Sequence, residues 1–258
     1  LEELVKKIDE ISEDIEEKKI DAPARMSIDR VFSLRGFGTI VTGTLIEGKI
    51  SVDDEMTIYP SEKKVKVRNL QVHGCDVKTA YAGQRTAINL SNIKVSEIQR
   101  GDVIAQTGSV EESMMIDVNI SLVEHCKKSL KHWDRIRIFH GTKQILCRIV
   151  PLNEDEIQYG ESGYAQLRLE EKIVAKKGDR FIIRSYSPMD TIGGGVIIDT
   201  APKKHKIYDE SVIEALKIKE KGELKDILEE YLKLNLSNYI TLKELVSYTG
   251  EKEEYVKE

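Results

Sequence analysis

Gly43, Gly48 and Lys49 have the spacing of a phosphate-binding loop within the run GTLIEGK. In such a loop the backbone amides surround the phosphates, a Ser or Thr after the lysine binds Mg²⁺, and the loop joins a strand to a helix. Here Ile50 follows the lysine, and the residues on both sides alternate in the manner of strands. The run therefore predicts turn glycines in a β-structure and no nucleotide site.

The cysteines and histidines form no recognisable metal motif. Cys75, Cys126 and Cys147 are odd in number, far apart and without a C-x-x-C pair, which favours neither a disulfide framework nor a zinc site. His73 near Cys75 and His125 beside Cys126 would supply only two ligands in each place. The hydrolase motifs G-x-S-x-G and H-E-x-x-H do not occur. The sequence predicts no catalytic residue and no metal ligand.

The chain has 258 residues and a formal net charge of −5 at pH 7. Residues 1–24 carry four basic and nine acidic residues, so the remainder is balanced. Because nucleic acids bind local patches, this balance does not exclude an RNA partner, but it predicts no bulk nonspecific binding. No run of about 18 apolar residues and no basic-then-apolar leader occurs, so we expect a cytoplasmic protein without a membrane partner.

Two series of short strands make up most of the chain. Over 25–112 and again over 113–200, apolar alternating runs are separated by Gly, Asn, Asp and Ser at close spacing. This pattern predicts a mainly β protein with two consecutive antiparallel β-barrels. Within the first series, residues 28–48, IDRVFSLRGFGTIVTGTLIEG, predict a hairpin that enters the barrel.

Helical patterns flank the two barrels. Over residues 1–24 the apolar positions have helical spacing, and they share one face of an acidic helix: Leu4, Ile8, Ile11 and Ile15. We expect this to be the last helix and linker of a domain upstream.

After the second barrel, residues 201–258 predict several short helices. Thr241 and Glu244 have the spacing of a capping box, which marks the start of one of them. The order of these helices is typical of the beginning of a winged-helix domain, which we expect to be truncated.

Residues 28–48 resemble the start of the second domain of translational GTPases such as elongation factor Tu. Other features are similar to the selenocysteine-specific elongation factors: AGQRTAINL at 82–90 followed by RGDVIA at 100–105, TIGGGVIID at 191–199, and the helical extension after it. Together these features cover nearly the whole chain, and they identify it as a member of that family.

The resemblance implies a parent protein that binds GTP and Mg²⁺ in an upstream domain and delivers selenocysteinyl-tRNA to the ribosome in translation elongation. It also implies that C-terminal winged helices reach an mRNA recoding hairpin. The chain lacks the phosphate loop, the magnesium ligands and the guanine-reading motif, so we expect no enzyme activity and no cofactor of its own. The missing N-terminal GTPase domain is an expected partner.

By motif, the family's aminoacyl pocket matches Asp29, Arg30 and Arg85. A selenol is substantially ionised near neutral pH, so its pocket should present fixed positive charge, and a guanidinium stays protonated and offers several donors. Asp29 would hold an arginine in place when tRNA is absent. The residue chemistry alone favours a rim salt bridge worth ~0–1 kcal/mol, whereas the motif match favours the pocket.

A basic cluster in the second barrel offers contacts for the phosphates of a tRNA stem, although a solvated loop explains it equally well. Its members are Lys127, Lys128, Lys131, His132 and Arg135. Trp133 inside this cluster could stack on a base, but a core or inter-barrel position is the favoured interpretation. The run KKHK at 203–206 predicts first a polar linker and only second an RNA contact.

Two alternatives remain open from the sequence. One is the β-barrel region of another translational GTPase, and the other is a winged-helix DNA-binding regulator with a β-domain sensor. The run EKEEYVKE at 251–258 argues against the regulator, because carboxylates would face DNA phosphates at the start of its recognition helix. Filter binding with charged tRNA against duplex DNA would separate the two classes.

Overall fold

The computed structural model describes residues 2–13, 18–126, 128–234, 239–249 and 256–257. The chain divides into two compact units, Leu1–Ser109 and Val110–Glu258, and each contains a ring of antiparallel strands. The predicted mainly β class with two consecutive barrels is therefore confirmed. The predicted domain limits at 24, 112 and 200 stay predictions.

The first unit is built around a six-stranded ring. Its elements are α1 (Glu2–Glu13), β1 (Arg25–Leu34), β2 (Gly38–Glu47), β3 (Lys49–Ser51), β4 (Glu55–Tyr59), β5 (Lys63–Val72), β6 (Cys75–Val77), β7 (Thr79–Tyr81), β8 (Arg85–Ser91) and β9 (Val103–Gln106). The ring has the order β4–β9–β1–β2–β8–β5 and closes because β4 also pairs with β5. β6 adds to it beside β5, and β3 pairs with β7.

The predicted hairpin is formed by β1 and β2, and its register changes at Asp29. Ile28 pairs with Gly43, and Arg30 pairs with Thr42, so Asp29 is an extra residue in β1. Such a β-bulge bends its strand and redirects a side chain. The bulge therefore gives Asp29 a direction that regular pairing would not give it.

The structure explains why the run GTLIEGK has glycine at both Gly43 and Gly48. A Cβ atom at Gly43 would lie 2.2 Å from the backbone oxygen of Ser27, so a larger residue would push β1 away. Gly48 has a φ of +75°, which glycine adopts without strain. The predicted β-structure is confirmed, although Gly43 lies within a strand and not in a turn.

The second unit contains a closed six-stranded barrel followed by helices. Its elements are β10 (Glu112–Leu122), β11 (Leu130–Lys131), β12 (Arg135–His140), β13 (Lys143–Pro151), β14 (Glu156–Ile157), β15 (Ser162–Val174), β16 (Arg180–Ser185), β17 (Thr191–Asp199), α2 (Glu210–Lys221), α3 (Leu224–Leu234) and α4 (Leu242–Thr249). The barrel order is β10–β15–β13–β12–β16–β17, and β11 pairs with β14.

Alternate residues of the strands fill the two barrels. In the first, fully buried side chains include Met26, Ile28, Leu45, Ile58 and Ile88. In the second they include Ile116, Ile120, Ile138, Cys147 and Ile183. Burial raises the pKa of the Cys147 thiol to about 12, so this cysteine is an apolar core residue that stays protonated.

The predicted helices are present at both ends of the described chain. The apolar face of α1 is exposed at Leu4, Ile8 and Ile11, while Ile15 lies outside the described residues. The capping box is confirmed, because the backbone N–H of Glu244 donates to Thr241 Oγ1 at 3.3 Å and the N–H of Thr241 donates to Glu244 Oε2 at 2.7 Å. Within the described residues, every helix is too short or too polar to cross a membrane.

Buried polar contacts fix α2 to the second barrel. Lys219 is buried, and its Nζ lies 2.6 Å from Oδ2 of Asp199 at the end of β17. The neighbouring Glu220 accepts hydrogen bonds from the Tyr164 hydroxyl at 2.7 Å and from the Asn119 amide at 2.8 Å. These contacts surround a small apolar cluster: Val150, Leu152, Ile198 and Leu216.

The segment 203–206 also contacts the barrel. His205 Nε2 lies 2.6 Å from Oδ2 of the buried Asp117. Gln166 Nε2 donates to the other oxygen of Asp117 at 2.7 Å and to the backbone oxygen of Lys203 at 2.9 Å. Burial raises the pKa of Asp117, although the hydrogen bonds from His205 and Gln166 oppose this. The segment is thus a polar link between barrel and helices whose His205 is held against the barrel.

Because the run GTLIEGK lies in β2 and β3, we expect this chain to bind neither GTP nor GDP. A phosphate site of that type needs a loop before a helix N-terminus, and strands do not present their amides in that way. Calorimetric titration of the chain with each nucleotide and Mg²⁺ tests this. Micromolar or tighter binding would contradict it.

Candidate functional site

The structure brings Asp29 and Arg85 together across three neighbouring strands. Asp29 lies in the bulge of β1, Arg85 begins β8, and β2 runs between them. Arg85 Nη1 donates to Asp29 Oδ2 at 2.5 Å, and Nη2 donates to Oδ1 at 3.2 Å. Thr42 of β2 donates its hydroxyl to the same Oδ1 at 2.7 Å. Asp29 and Arg85, which the motif match assigns to one pocket, thus lie in contact, and their role as an aminoacyl pocket stays a prediction.

The pair lies at the border between core and solvent. The side chain of Asp29 is 20% exposed, and that of Arg85 is 55% exposed. Burial alone would raise the pKa of Asp29, but hydrogen bonds from Arg85 and Thr42 and the charges of Arg85 and Arg30 lower it. The hydrogen bond and charge of Asp29 raise the pKa of Arg85 in turn. Both groups are therefore ionised near neutral pH.

Arg30 follows the bulge and is exposed. Its positive charge helps to lower the pKa of Asp29, so it lies within electrostatic range of the carboxylate. Two arginines and one carboxylate leave the cluster with an excess positive charge, and Arg85 keeps much of its surface open to solvent. This arrangement can hold a small anionic group by charge-assisted hydrogen bonds. The described part of the chain holds no group of three His, Cys, Asp or Glu side chains placed to bind a metal ion.

The predicted basic cluster of the second barrel is only partly brought together. Lys128, Lys131 and His132 are exposed around the short strand β11, and Lys127 lies outside the described residues. Lys131 Nζ lies 3.5 Å from Glu156 Oε2, an exposed contact that fixes the lysine weakly. These side chains are accessible to a phosphate backbone, and no further geometry distinguishes them from a solvated loop.

Trp133 is not a core residue of its barrel. Its side chain is 52% exposed, and its backbone has a φ of +71° in the turn before β12. The indole ring stacks on the neighbouring His132 ring, with the centroids 5.8 Å apart. The core interpretation of Trp133 is wrong because the positive φ places this residue at a turn, outside the strand alternation that fills the barrel.

Arg135 belongs to a different surface, which we call the arginine face. Its residues lie on the outer sides of four adjacent strands and are paired directly across the ladder: Arg135 with Arg148, Arg148 with Arg168, and Arg137 with Arg184. Ile136 and Ile138 alternate with them and are buried inside the barrel. The strand period of two therefore turns these arginines outward together.

Few carboxylates balance the arginine face. Arg135 donates to Glu170 at 2.8 Å through Nε and at 2.6 Å through Nη2. The hydrogen bonds from Arg135 lower the pKa of Glu170, and the charges of Arg135 and Arg148 add to this. The Nε atoms of Arg137, Arg168 and Arg184 are buried and have no hydrogen-bond partner among the described residues. Among the described residues, the arginines of this face other than Arg135 thus have no carboxylate that neutralises their charge.

Aromatic rings support these guanidinium groups. The Cζ atoms of Arg135 and Arg137 lie 4.8 Å and 5.2 Å from the centroid of the Tyr186 ring, and that of Arg184 lies 5.7 Å from the centroid of Phe139. Such contacts restrain an arginine without neutralising it. Sequence reasoning missed most of this face because its members come from four strands. The alternation RIRI at 135–138 was the one local signal.

Comparison with known proteins gives two family matches. The family described as "Selenocysteine-specific elongation factor, beta-barrel domain" matches residues 117–204. "Elongation factor Tu domain 2" matches residues 38–105. The first match lies in the second barrel and the second match in the first barrel.

Individual relatives agree with these families. A selenocysteine-specific elongation factor from Desulfomicrobium baculatum is 38% identical over 204 residues, which are 79% of this chain and 32% of that protein. One from Methanocaldococcus jannaschii is 29% identical over 245 residues, 81% of this chain and 52% of that protein. The crystal structure of a bacterial selenocysteine-specific elongation factor shares the fold, with a TM-score of 0.81 and 24% identity, covering 97% of this chain and 40% of the other. This chain spans a third to a half of these proteins.

We expect Arg85→Ala to raise the pKa of Asp29, because burial would then act with only Thr42 and Arg30 opposing it. In the intact pair, stability from Asp29 is present above its unfolded pKa and is lost as the pH falls through its lower folded value. Carboxyl NMR titration measures the shift. Asp76 is the control, because its pKa is lowered by Gln71 and Asn69 and should not change. An unchanged Asp29 midpoint would disprove the coupling.

Proposed function

This chain belongs to the family of selenocysteine-specific elongation factors, and we propose that it supplies the aminoacyl pocket and the tRNA contacts of such a factor. In this proposal a GTPase domain outside the chain binds GTP and Mg²⁺, and the full-length factor delivers selenocysteinyl-tRNA to the ribosome in the cytoplasm. The chain itself carries out no catalysis.

The observation that supports the pocket most directly is the Asp29–Arg85 pair at a β-bulge, with Arg30 beside it. A selenolate is an anion and a serine hydroxyl is neutral, so a site with fixed excess positive charge favours the former. An arginine suits this role because it remains protonated and is less strongly hydrated than a lysine. Asp29 balances Arg85 until the aminoacyl group arrives.

For the tRNA body, the arginine face is a stronger candidate than the predicted loop cluster. Three of its five guanidinium groups lie over aromatic rings, and most of the five lack a carboxylate partner among the described residues. A double-stranded RNA stem is recognised chiefly through phosphates and ribose hydroxyls, for which forked arginine donors are well suited. Lys128, Lys131 and His132 would extend this surface at its edge.

The helices that follow the second barrel complete the proposal. We propose that α2, α3 and α4 begin a winged-helix region through which the full-length factor reaches an mRNA recoding hairpin. The buried contacts of α2 with the barrel support a fixed starting point for such a region. On α3, Ile227 is buried and Leu232 is exposed.

We expect Arg85→Ala in the full-length factor to abolish most of its preference for selenocysteinyl-tRNA over seryl-tRNA while leaving seryl-tRNA binding unchanged. A charge-assisted hydrogen bond contributes ~1.5–3 kcal/mol, which corresponds to a factor of roughly ten to a hundred and fifty in that ratio. Equilibrium binding of both charged tRNAs to the GTP-loaded factor measures it.

Arg68→Ala is the matched control for this experiment. Arg68 is an exposed arginine of the same barrel and also lies at a register shift, in β5, away from Asp29. Its loss should leave the ratio unaltered. Equal weakening of both tRNAs by Arg85→Ala would assign Arg85 to the tRNA backbone and refute the pocket.

The arginine face gives a separate prediction. Arg137→Ala and Arg184→Ala should each weaken selenocysteinyl-tRNA and seryl-tRNA equally and reduce the slope of log affinity against log salt by about 1, the value for one lost phosphate contact. Lys225→Ala, which removes an exposed positive charge from α3, is the control and should change neither quantity. Unchanged affinity and slope in both arginine variants would exclude this face from tRNA binding.

A further inference from the structure

We infer that Thr42 is a positioning residue that keeps Arg85 available to an anionic aminoacyl group by holding the Asp29 carboxylate away from a symmetric ion pair. This inference rests on the proposed function of the Asp29–Arg85 site. It adds a neutral side chain on β2 to that site.

The pairing of Asp29 with Arg85 is asymmetric. Nη1 of Arg85 lies 2.5 Å from Oδ2, whereas Nη2 lies 3.2 Å from Oδ1. A forked arginine–carboxylate pair normally has two similar distances of about 2.7–2.9 Å. Oδ1 is the oxygen that also accepts the Thr42 hydroxyl, at 2.7 Å. Oδ1 is therefore shared between Thr42 and Nη2, and the shorter of these two hydrogen bonds is the one from Thr42.

The asymmetry matters because an incoming anion must take Arg85 from Asp29. The hydrogen bond from Nη2 to Oδ1 is long and therefore weak, and the Arg85 side chain is 55% exposed. When the anion binds Arg85, Asp29 keeps its hydrogen bond from Thr42 and the nearby charge of Arg30. The carboxylate is then not left without a partner, which would be strongly unfavourable for a group that is only 20% exposed.

This exchange of partners also allows the site to distinguish a selenocysteinyl group from a seryl group. A selenolate can replace the carboxylate as the ionic partner of Arg85, whereas a serine hydroxyl cannot, so only the former depends on how readily Arg85 leaves Asp29. Thr42 should consequently affect selenocysteinyl-tRNA binding and leave seryl-tRNA binding alone. A residue needed merely for strand packing would affect both.

The strand pairing supplies a matched control. Thr44 lies two residues further along β2, on the same face, and it is exposed and pairs directly with Arg85 in the β2–β8 ladder. Thr42 instead pairs with Arg30 across the hairpin, next to the bulge at Asp29. Two threonines on one face thus differ in whether they donate to the carboxylate.

The test uses the full-length GTP-loaded factor with Thr42→Val, Thr42→Ser and Thr44→Val, each checked for folding by circular dichroism. We expect Thr42→Val to weaken selenocysteinyl-tRNA binding by about fivefold, the size of one hydrogen bond, with seryl-tRNA unchanged. Thr42→Ser retains the hydroxyl and should bind as the parent does. Thr44→Val should also bind as the parent does.

A second set of variants, made in the Asp29→Asn factor, tests whether Thr42 acts through the Asp29 carboxylate. In the Asp29→Asn factor no carboxylate competes for Arg85, so adding Thr42→Val should have no further effect on either tRNA. An equal effect of Thr42→Val in both backgrounds, or no effect in the parent, would overturn the inference. If Arg85→Ala itself leaves the preference intact, the proposed pocket fails; if only Thr42→Val has no effect, the pocket stands and Thr42 has no part in it.

Discussion

The candidate site of the first barrel depends on the ion pair between Asp29 and Arg85, and that pair depends on a single extra residue in β1. If Ile28 and Arg30 paired in regular register, the Asp29 side chain would lack the redirection that the bulge supplies. The close approach of β1 and β2 at Gly43 keeps the hairpin tight beside the bulge. An exposed ion pair contributes little to stability, so the fold does not need Asp29 and Arg85 for its own sake. The stability of the fold alone therefore does not account for this pair.

The arginines of the two barrels have different kinds of partner. In the first, one carboxylate accepts hydrogen bonds from an arginine and from a threonine hydroxyl, so the arginine has an ionic partner that a competing anion can replace. On the arginine face, Glu170 pairs with Arg135, and aromatic rings restrain other guanidinium groups without cancelling their charge. The first arrangement suits selection between small groups of different charge. The second suits a polyanion, which is bound through many similar contacts and little selectivity.

The sequence predicted what depends on local pattern. Strand alternation, the reversal at Gly48 and the capping box at Thr241 were all visible in short windows, and the structure has them. Asp29 and Arg85 were joined only through the family resemblance, because 56 residues separate them and no local rule pairs them. Thr42 and most of the arginine face, apart from Arg135, were missed for the same reason, since their contacts depend on cross-strand register. The core position considered for Trp133 was wrong because composition does not reveal a positive φ.

The docking of α2 shows how polar groups can fix an orientation that apolar packing alone would leave loose. Burial lowers the pKa of Lys219, but the hydrogen bond and charge of Asp199, 2.6 Å away, oppose this shift. Sliding α2 along the barrel would separate this pair and also break the contacts of Glu220 with Tyr164 and Asn119. Removing one partner of a buried pair is far more unfavourable than losing an exposed one. The helix is therefore held in one register on the second barrel, and whatever follows it in the chain starts from a fixed point on that barrel.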